Sequence, residues 1–136
     1  MSSPEEIVNT YVEAYNDRDV ATLRDLFHDP FQFNGEDLPV DEFLGLVQAY
    51  WGSFPDLMLE HTHQIADGEY VFDRHVFEAN GTDEYYGHEV SDKTVECAEM
   101  MLFRVQDGVF SEYWYEWDEL GFWTQLDVVK NPHEES

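Results

Sequence analysis

The spacing of apolar residues changes period once along the chain. In the first third they recur every three or four positions, the repeat of an amphipathic helix: Ile7, Tyr11, Ala14 and Tyr15 make one stripe, and Phe43, Leu46, Val47 and Tyr50 another. Ser3-Pro4-Glu5-Glu6 supplies a helix start, with Ser3 as cap, Pro4 at the first helical position and Glu6 placed to complete a capping box. The polar run Asn16-Asp17-Arg18-Asp19 ends that helix. A second, short helix is expected from Val20 to about Phe27, burying Leu23, Leu26 and Phe27, with Pro30 closing the segment. Phe31 and Phe33 alternate in a short strand, and Gly35 turns the chain. Pro39 with Asp41 and Glu42 then opens a third helix, which Gly52 is expected to stop.

From Leu57 onward the period is two. Leu57, Leu59, His61, His63 and Ile65 fall on one face of a strand that turns at Asp67-Gly68. The return strand, about Glu69 to Asn80, places Val71, Asp73, His75, Phe77 and Ala79 on one side. After a loop holding Tyr85, Tyr86 and Gly87, a long strand runs from about Thr94 to Gln106, and Asp107-Gly108 turns it into Val109–Trp117. Asp118 is placed to cap a short last helix through Gln125. One domain is expected over residues 1–129, with an acidic tail at 130–136. Helices first and long antiparallel strands after is the α+β arrangement. Three N-terminal helices on one face of a strongly curved, mostly antiparallel sheet would form a cone-shaped α+β barrel, with a ligand pocket at its mouth.

Charge narrows the possible partners. Among 136 residues, 31 are acidic and 6 basic, a formal net charge of −25. A nucleic-acid binder needs a basic footprint, so nucleic acid is not expected, and neither is a membrane surface. Residues 1–68 carry 14 acids and 2 bases and residues 69–136 carry 17 and 4, so the acidity is an even coat. With 16% of residues aromatic the chain still has material for a core. This balance reads as a halophilic, cytoplasmic protein whose self-repulsion is screened by salt. The single cysteine, Cys97, leaves no intrachain disulfide.

Several short motifs then fall in a telling order. Phe54-Pro55-Asp56 follows the third helix, Gly81-Thr82 ends the second long strand, Phe103-Arg104 precedes Asp107-Gly108, and Trp114-x3-Asp118-x2-Gly121 leads to Gln125-Leu126. Together they resemble the SnoaL-like polyketide cyclase family, within the nuclear transport factor 2-like superfamily, over roughly residues 4–127. The resemblance implies a cofactor-free reaction on a small hydrophobic carbonyl compound, by aldol cyclisation or isomerisation, and a homodimer through the outer sheet face. It places Asp118 where the family has its acid/base aspartate and Phe77 where it has a pocket aromatic. Asp83 stands where the family often has a histidine, and Asp127 where a glycine usually follows Gln-Leu.

The residues themselves suggest a matching chemistry. A carboxylate at a strand end among Trp114, Trp117, Phe122 and Trp123 would be desolvated, which raises its pKa toward the range useful beside a carbonyl, so Asp118 is the first catalytic candidate. His75, sharing a face with Phe77, is the second. The alternatives are a helix cap for Asp118 and a histidine satisfied inside the sheet for His75. Tyr15, Phe33, Tyr50, Phe54, Phe77, Asp83, Glu99, Met101, Trp114, Glu116, Trp123 and Gln125 are the candidate pocket wall. Arg74 and Arg104 are possible partners for the acids Glu99 and Glu116, and Arg74 keeps an epoxide or ester hydrolase open. His61 and His63 lie two apart on one strand without a third ligand in a recognisable motif, so no metal is expected. A non-catalytic binding module on the same fold is the alternative to an enzyme.

The charge coat carries its own test. Lowering salt from about 1 M to about 0.1 M lengthens the screening distance from about 3 Å to about 10 Å, so the thermal unfolding midpoint should fall. Unfolding scans across a KCl series measure this; a midpoint indifferent to salt removes the halophilic reading.

Overall fold

The structure, a computed structural model, describes residues 2–133. Helix α1 (Pro4–Asn16) starts as its sequence dictates: Ser3 Oγ accepts from the Glu6 N–H at 3.3 Å and its hydroxyl donates to the Glu6 carboxylate at 3.2 Å. Its apolar stripe, Ile7, Tyr11, Ala14 and Tyr15 with Val8 and Val12, is buried. Helix α2 spans Val20–Asp25 and not Val20–Phe27. Phe27 instead opens strand β1 (Phe27–Phe33), where its ring packs 5.0 Å from Phe43 and 5.1 Å from Phe110. Pro30 therefore lies inside a strand, at an irregularity between Phe27 and Gln32 that leaves its missing N–H without consequence. Strand β2 (Glu36–Leu38) returns antiparallel to β1. Helix α3 (Val40–Ser53) runs through Gly52, because Ser53 is held beyond it: its hydroxyl donates to the Glu84 carbonyl at 2.6 Å.

Strand β3 (Glu60–Asp67) pairs with β4 (Tyr70–Asn80), and a small hairpin, β5 (Glu84–Tyr85) and β6 (His88–Glu89), follows. Strands β7 (Thr94–Gln106) and β8 (Val109–Trp117) have the expected bounds, and helix α4 (Glu119–Gln125) closes the fold. Six strands make one mixed sheet in the order β2-β1-β8-β7-β4-β3, antiparallel except for the parallel β1–β8 pair. The expected tail from 130 lies partly outside the described residues, which end at 133. Among the described residues no helix is long and apolar enough to cross a membrane.

The sheet has two unlike faces. Val71, Asp73, His75, Phe77 and Ala79 of β4 and Val95, Cys97, Glu99, Met101, Phe103 and Val105 of β7 are all buried on the inner one. Tyr11 of α1 sits at the centre of this core, within 6.1 Å of the rings of Tyr15, Phe27, Phe103, Phe110 and Tyr113. On the outer face Ile65, Phe72, Leu102 and Trp114 stand opposite one another across β3, β4, β7 and β8. Ile65 is 65% exposed and Trp114 40%, so this apolar row is open. Leu57 and Leu59 are buried but precede β3, whose own residues are all exposed, and Ile65 points to the outer face instead of sharing theirs.

Candidate functional site

Between the inner sheet face and helices α1 and α3 lies a cavity of about 190 Å³. That is somewhat larger than an apolar cavity of roughly 150 Å³ known to accept benzene, so a small ring compound fits. Tyrosine dominates its wall: Tyr11 and Tyr15 from α1, Tyr50 from α3, Tyr85 and Tyr86 from the β5–β6 hairpin, and Tyr113 and Tyr115 from β8. Leu46, expected to be buried, is 47% exposed and lines the cavity from α3. One acid, Glu99 of β7, reaches this wall.

Glu99 is 6% exposed, and burial pushes its carboxyl up to about 8. The hydroxyl of Tyr115 donates to its Oε2. Neither candidate arginine reaches it: Arg74 turns to the outer face and donates to Thr62 Oγ1 at 3.0 Å, while Arg104 pairs there with Glu69 and Glu112. The Tyr50 hydroxyl is also inside and has no hydrogen-bond partner among the described residues. Burial first, then the Glu99 charge, raises its pKa, which keeps it a donor. A buried unpaired hydroxyl costs about 1–3 kcal/mol, and a ligand oxygen accepting from it removes that cost. Burial, with Glu99 and Asp118 adding, pushes the Cys97 thiol up to about 12, which leaves it a poor nucleophile.

Of the expected pocket residues, Tyr15, Phe33, Tyr50, Glu99 and Met101 line this cavity. The others do not. Phe54 and Phe77 form a layer behind Tyr50, with rings 5.5 and 6.1 Å from it. Trp123 stacks on the far side of Tyr85 at 5.8 Å, and Gln125 bonds both backbone groups of Glu96, tying α4 to β7. Asp83 is an exposed turn residue at φ +59°, with its N–H held by Ser91 Oγ. Trp114 and Glu116 are exposed, since Tyr113, Tyr115 and Trp117 carry the inner face of β8.

Asp118 is not desolvated. It is exposed, and its Oδ1 accepts from the Gly121 N–H at 2.9 Å as the cap of α4. The motif's spacing is explained by that cap: a Cβ on Gly121 would lie 2.1 Å from Asp118 Oδ2. His75 is fully buried on the inner face but does not line the cavity. It stands directly across from Glu99, and its Nε2 meets Asp73 Oδ2 at 2.8 Å. His61 and His63 do not share a face, because a bulge between them pairs His61 with His75 and His63 with Arg74. His61 thereby turns inward, with Nδ1 2.9 Å from Asp73 Oδ1.

The sequence model of the SnoaL-like polyketide cyclases matches residues 5–126. No curated protein sequence matches the chain. Among solved structures, IdmH from Streptomyces antibioticus is 24% identical with a TM-score of 0.82, covering 93% of this chain and 100% of its own. A SnoaL-like polyketide cyclase from Agrobacterium tumefaciens is 17% identical with a TM-score of 0.81, covering 93% and 99%. TsrD from Streptomyces laurentii is 20% identical at 0.81, covering 92% and 95%. At these identities the likeness is one of fold.

The buried carboxyl has a measurable signature. In the folded chain Glu99 keeps its proton to about pH 8, whereas an unfolded glutamate releases it near about 4.3. Between those values the folded state binds more protons, so its stability is greatest in acid and falls as pH rises through about 8. Glu99→Gln lacks this loss. Urea unfolding from pH 5 to 9 should therefore show the variant gaining on the wild type by roughly 3–5 kcal/mol. A constant difference across that range would mean Glu99 is not desolvated.

Proposed function

The chain belongs to the SnoaL-like polyketide cyclase family, and from that premise we propose that it performs acid–base chemistry on a small hydrophobic carbonyl compound, with Glu99 moving the proton. The observation that carries this reading is a single acid, its pKa raised to about 8 by burial, in a cavity otherwise walled by aromatic and aliphatic side chains. A carboxyl poised near about 8 is partly ionised at neutral pH and regains a proton readily, as a group that first takes and then returns one must. The unpartnered Tyr50 hydroxyl donates to the carbonyl oxygen, and it bonds more strongly as that oxygen gains charge. The proton leaves the carbon beside the carbonyl for Glu99, and the resulting enolate either attacks a second carbonyl of the same molecule or is reprotonated elsewhere. These outcomes are cyclisation and isomerisation. Asp118 serves as the cap of α4 and takes no part.

A binding module without turnover is the second reading, favoured by the Tyr115 hydroxyl already occupying the Glu99 carboxyl. An epoxide or ester hydrolase lacks support, since Arg74 lies on the outer face. The open row of Ile65, Phe72, Leu102 and Trp114 supports a homodimer, because a second copy would cover it.

A panel of small aromatic and alicyclic ketones in deuterated water tests the chemistry by NMR exchange at the carbon beside the carbonyl. Exchange should rise with pH to a plateau above about 8 and fall at least 100-fold in Glu99→Gln. Asp118→Asn should leave it within a few fold. Loss in Asp118→Asn with Glu99→Gln active would overturn the assignment, and ketone binding without exchange in the wild type would favour the binding module. For the dimer, sedimentation of the wild type should give twice the chain mass and Leu102→Glu the single mass; a monomeric wild type would overturn it.

A further inference from the structure

We propose that His61, Asp73 and His75 form a site for one divalent transition-metal ion of the zinc class, on the inner face of the β3–β4 pair. Their ligand atoms all lie within 4.8 Å of one another. Asp73 sits between the two imidazoles, with Oδ1 2.9 Å from His61 Nδ1 and Oδ2 2.8 Å from His75 Nε2. The rings meet edge to face with centroids 4.9 Å apart. Two imidazole nitrogens and one carboxylate oxygen are a zinc-type donor set, with bonds of about 2.0–2.2 Å. An ion between these groups would replace the hydrogen-bonding protons.

Two features of the chain favour a cation here. Asp73 is fully buried, and among the described residues its only ion-pair partners are these two histidines. A buried carboxylate needs positive charge close by, and neither a lysine nor an arginine supplies it. The bulge between His61 and His63 spoils the ladder locally, and its effect is to aim His61 at Asp73. His61 is 35% exposed, which gives an ion a path from solvent and leaves room for a water as fourth ligand. The soft-to-borderline nitrogen donors select against magnesium and calcium, which prefer oxygen. The site shares no residue with the Glu99 chemistry and does not require it.

The competing source of charge is a proton held by the imidazoles, and cobalt distinguishes the two. Chelator-treated wild-type protein titrated with Co²⁺ in about 1 M KCl, to suppress adventitious binding by surface acids, should take up one equivalent with visible d–d absorption. Zn²⁺ should bleach that colour and raise the unfolding midpoint, while Mg²⁺ does neither. Affinity should drop at least tenfold in His61→Ala, a half-exposed position whose loss leaves the Asp73–His75 pair in place, and stay unchanged in His63→Ala. Imidazole nitrogen NMR signals of His61 and His75 should move with zinc, and those of His63 should not. No stoichiometric Co²⁺ band in the wild type, or a band that survives in His61→Ala, would overturn the site.

Discussion

Strands β4 and β7 pair through eleven consecutive residues without a register shift, and that ladder decides which side chains face the helices. A one-residue slip of either strand exchanges its faces. It would expel Val71, Phe77 and Ala79, or Cys97, Met101 and Phe103, to water, and carry Asp73 and His75, or Glu99, with them. The apolar residues resist the slip, and the polar ones are held inside by the same geometry. The cavity wall and the histidine cluster are thus products of one pairing. His75 and Glu99 face each other across it, and Asp73 faces Met101 one step along.

The ladder buries two carboxylates, and the chain accommodates them differently. Asp73 has an imidazole on each oxygen, so its charge can be balanced where it stands. Glu99 has only a phenol, a neutral donor that eases the cost of a negative charge without cancelling it. Desolvation then favours the protonated carboxyl. One buried acid is a balanced charge and the other is a poised proton. That difference, more than proximity to the cavity alone, separates a cation site from an acid–base group.

Much of this was legible in the residues. The bounds of β7 and β8, the inward faces of β4 and β7 and the cap at Asp118 all follow from alternation and turn chemistry. The misplacements on β3 and β8 trace to β-bulges, which alternation cannot register. Phe110 points inward, and counting by twos from it predicts that Glu112, Trp114 and Glu116 do too. The ladder pairs Val105 with Phe110 but Arg104 with Glu112, so Ser111 is an extra residue and Tyr113, Tyr115 and Trp117 turn inward instead. The second bulge, at Thr62, separates His61 from His63 in the same way. Two extra residues account for the missed cavity tyrosines of β8, Tyr113 and Tyr115, and for the missed partner of Asp73. Asp118 is a different case. The aromatic residues around it in sequence belong to both sheet faces and to α4, so their number implied a dry site that their directions do not make.

The charge of −25 consequently divides into two populations that obey different physics. The exposed acids interact with one another through water, where salt shortens the range of repulsion. They set solubility and the stability of the fold in a given salt, and exchanging one for another changes little at the cavity. Glu99 and Asp73 are governed by desolvation and by the groups they touch, which salt screens far less. The coat nonetheless bears on both in one respect. A strongly negative surface raises the local concentration of cations, including any ion that enters past His61, and it opposes adding a further negative charge at Glu99. Acidity that began as a property of the surface thus favours the same states inside, a cation beside Asp73 and a proton on Glu99.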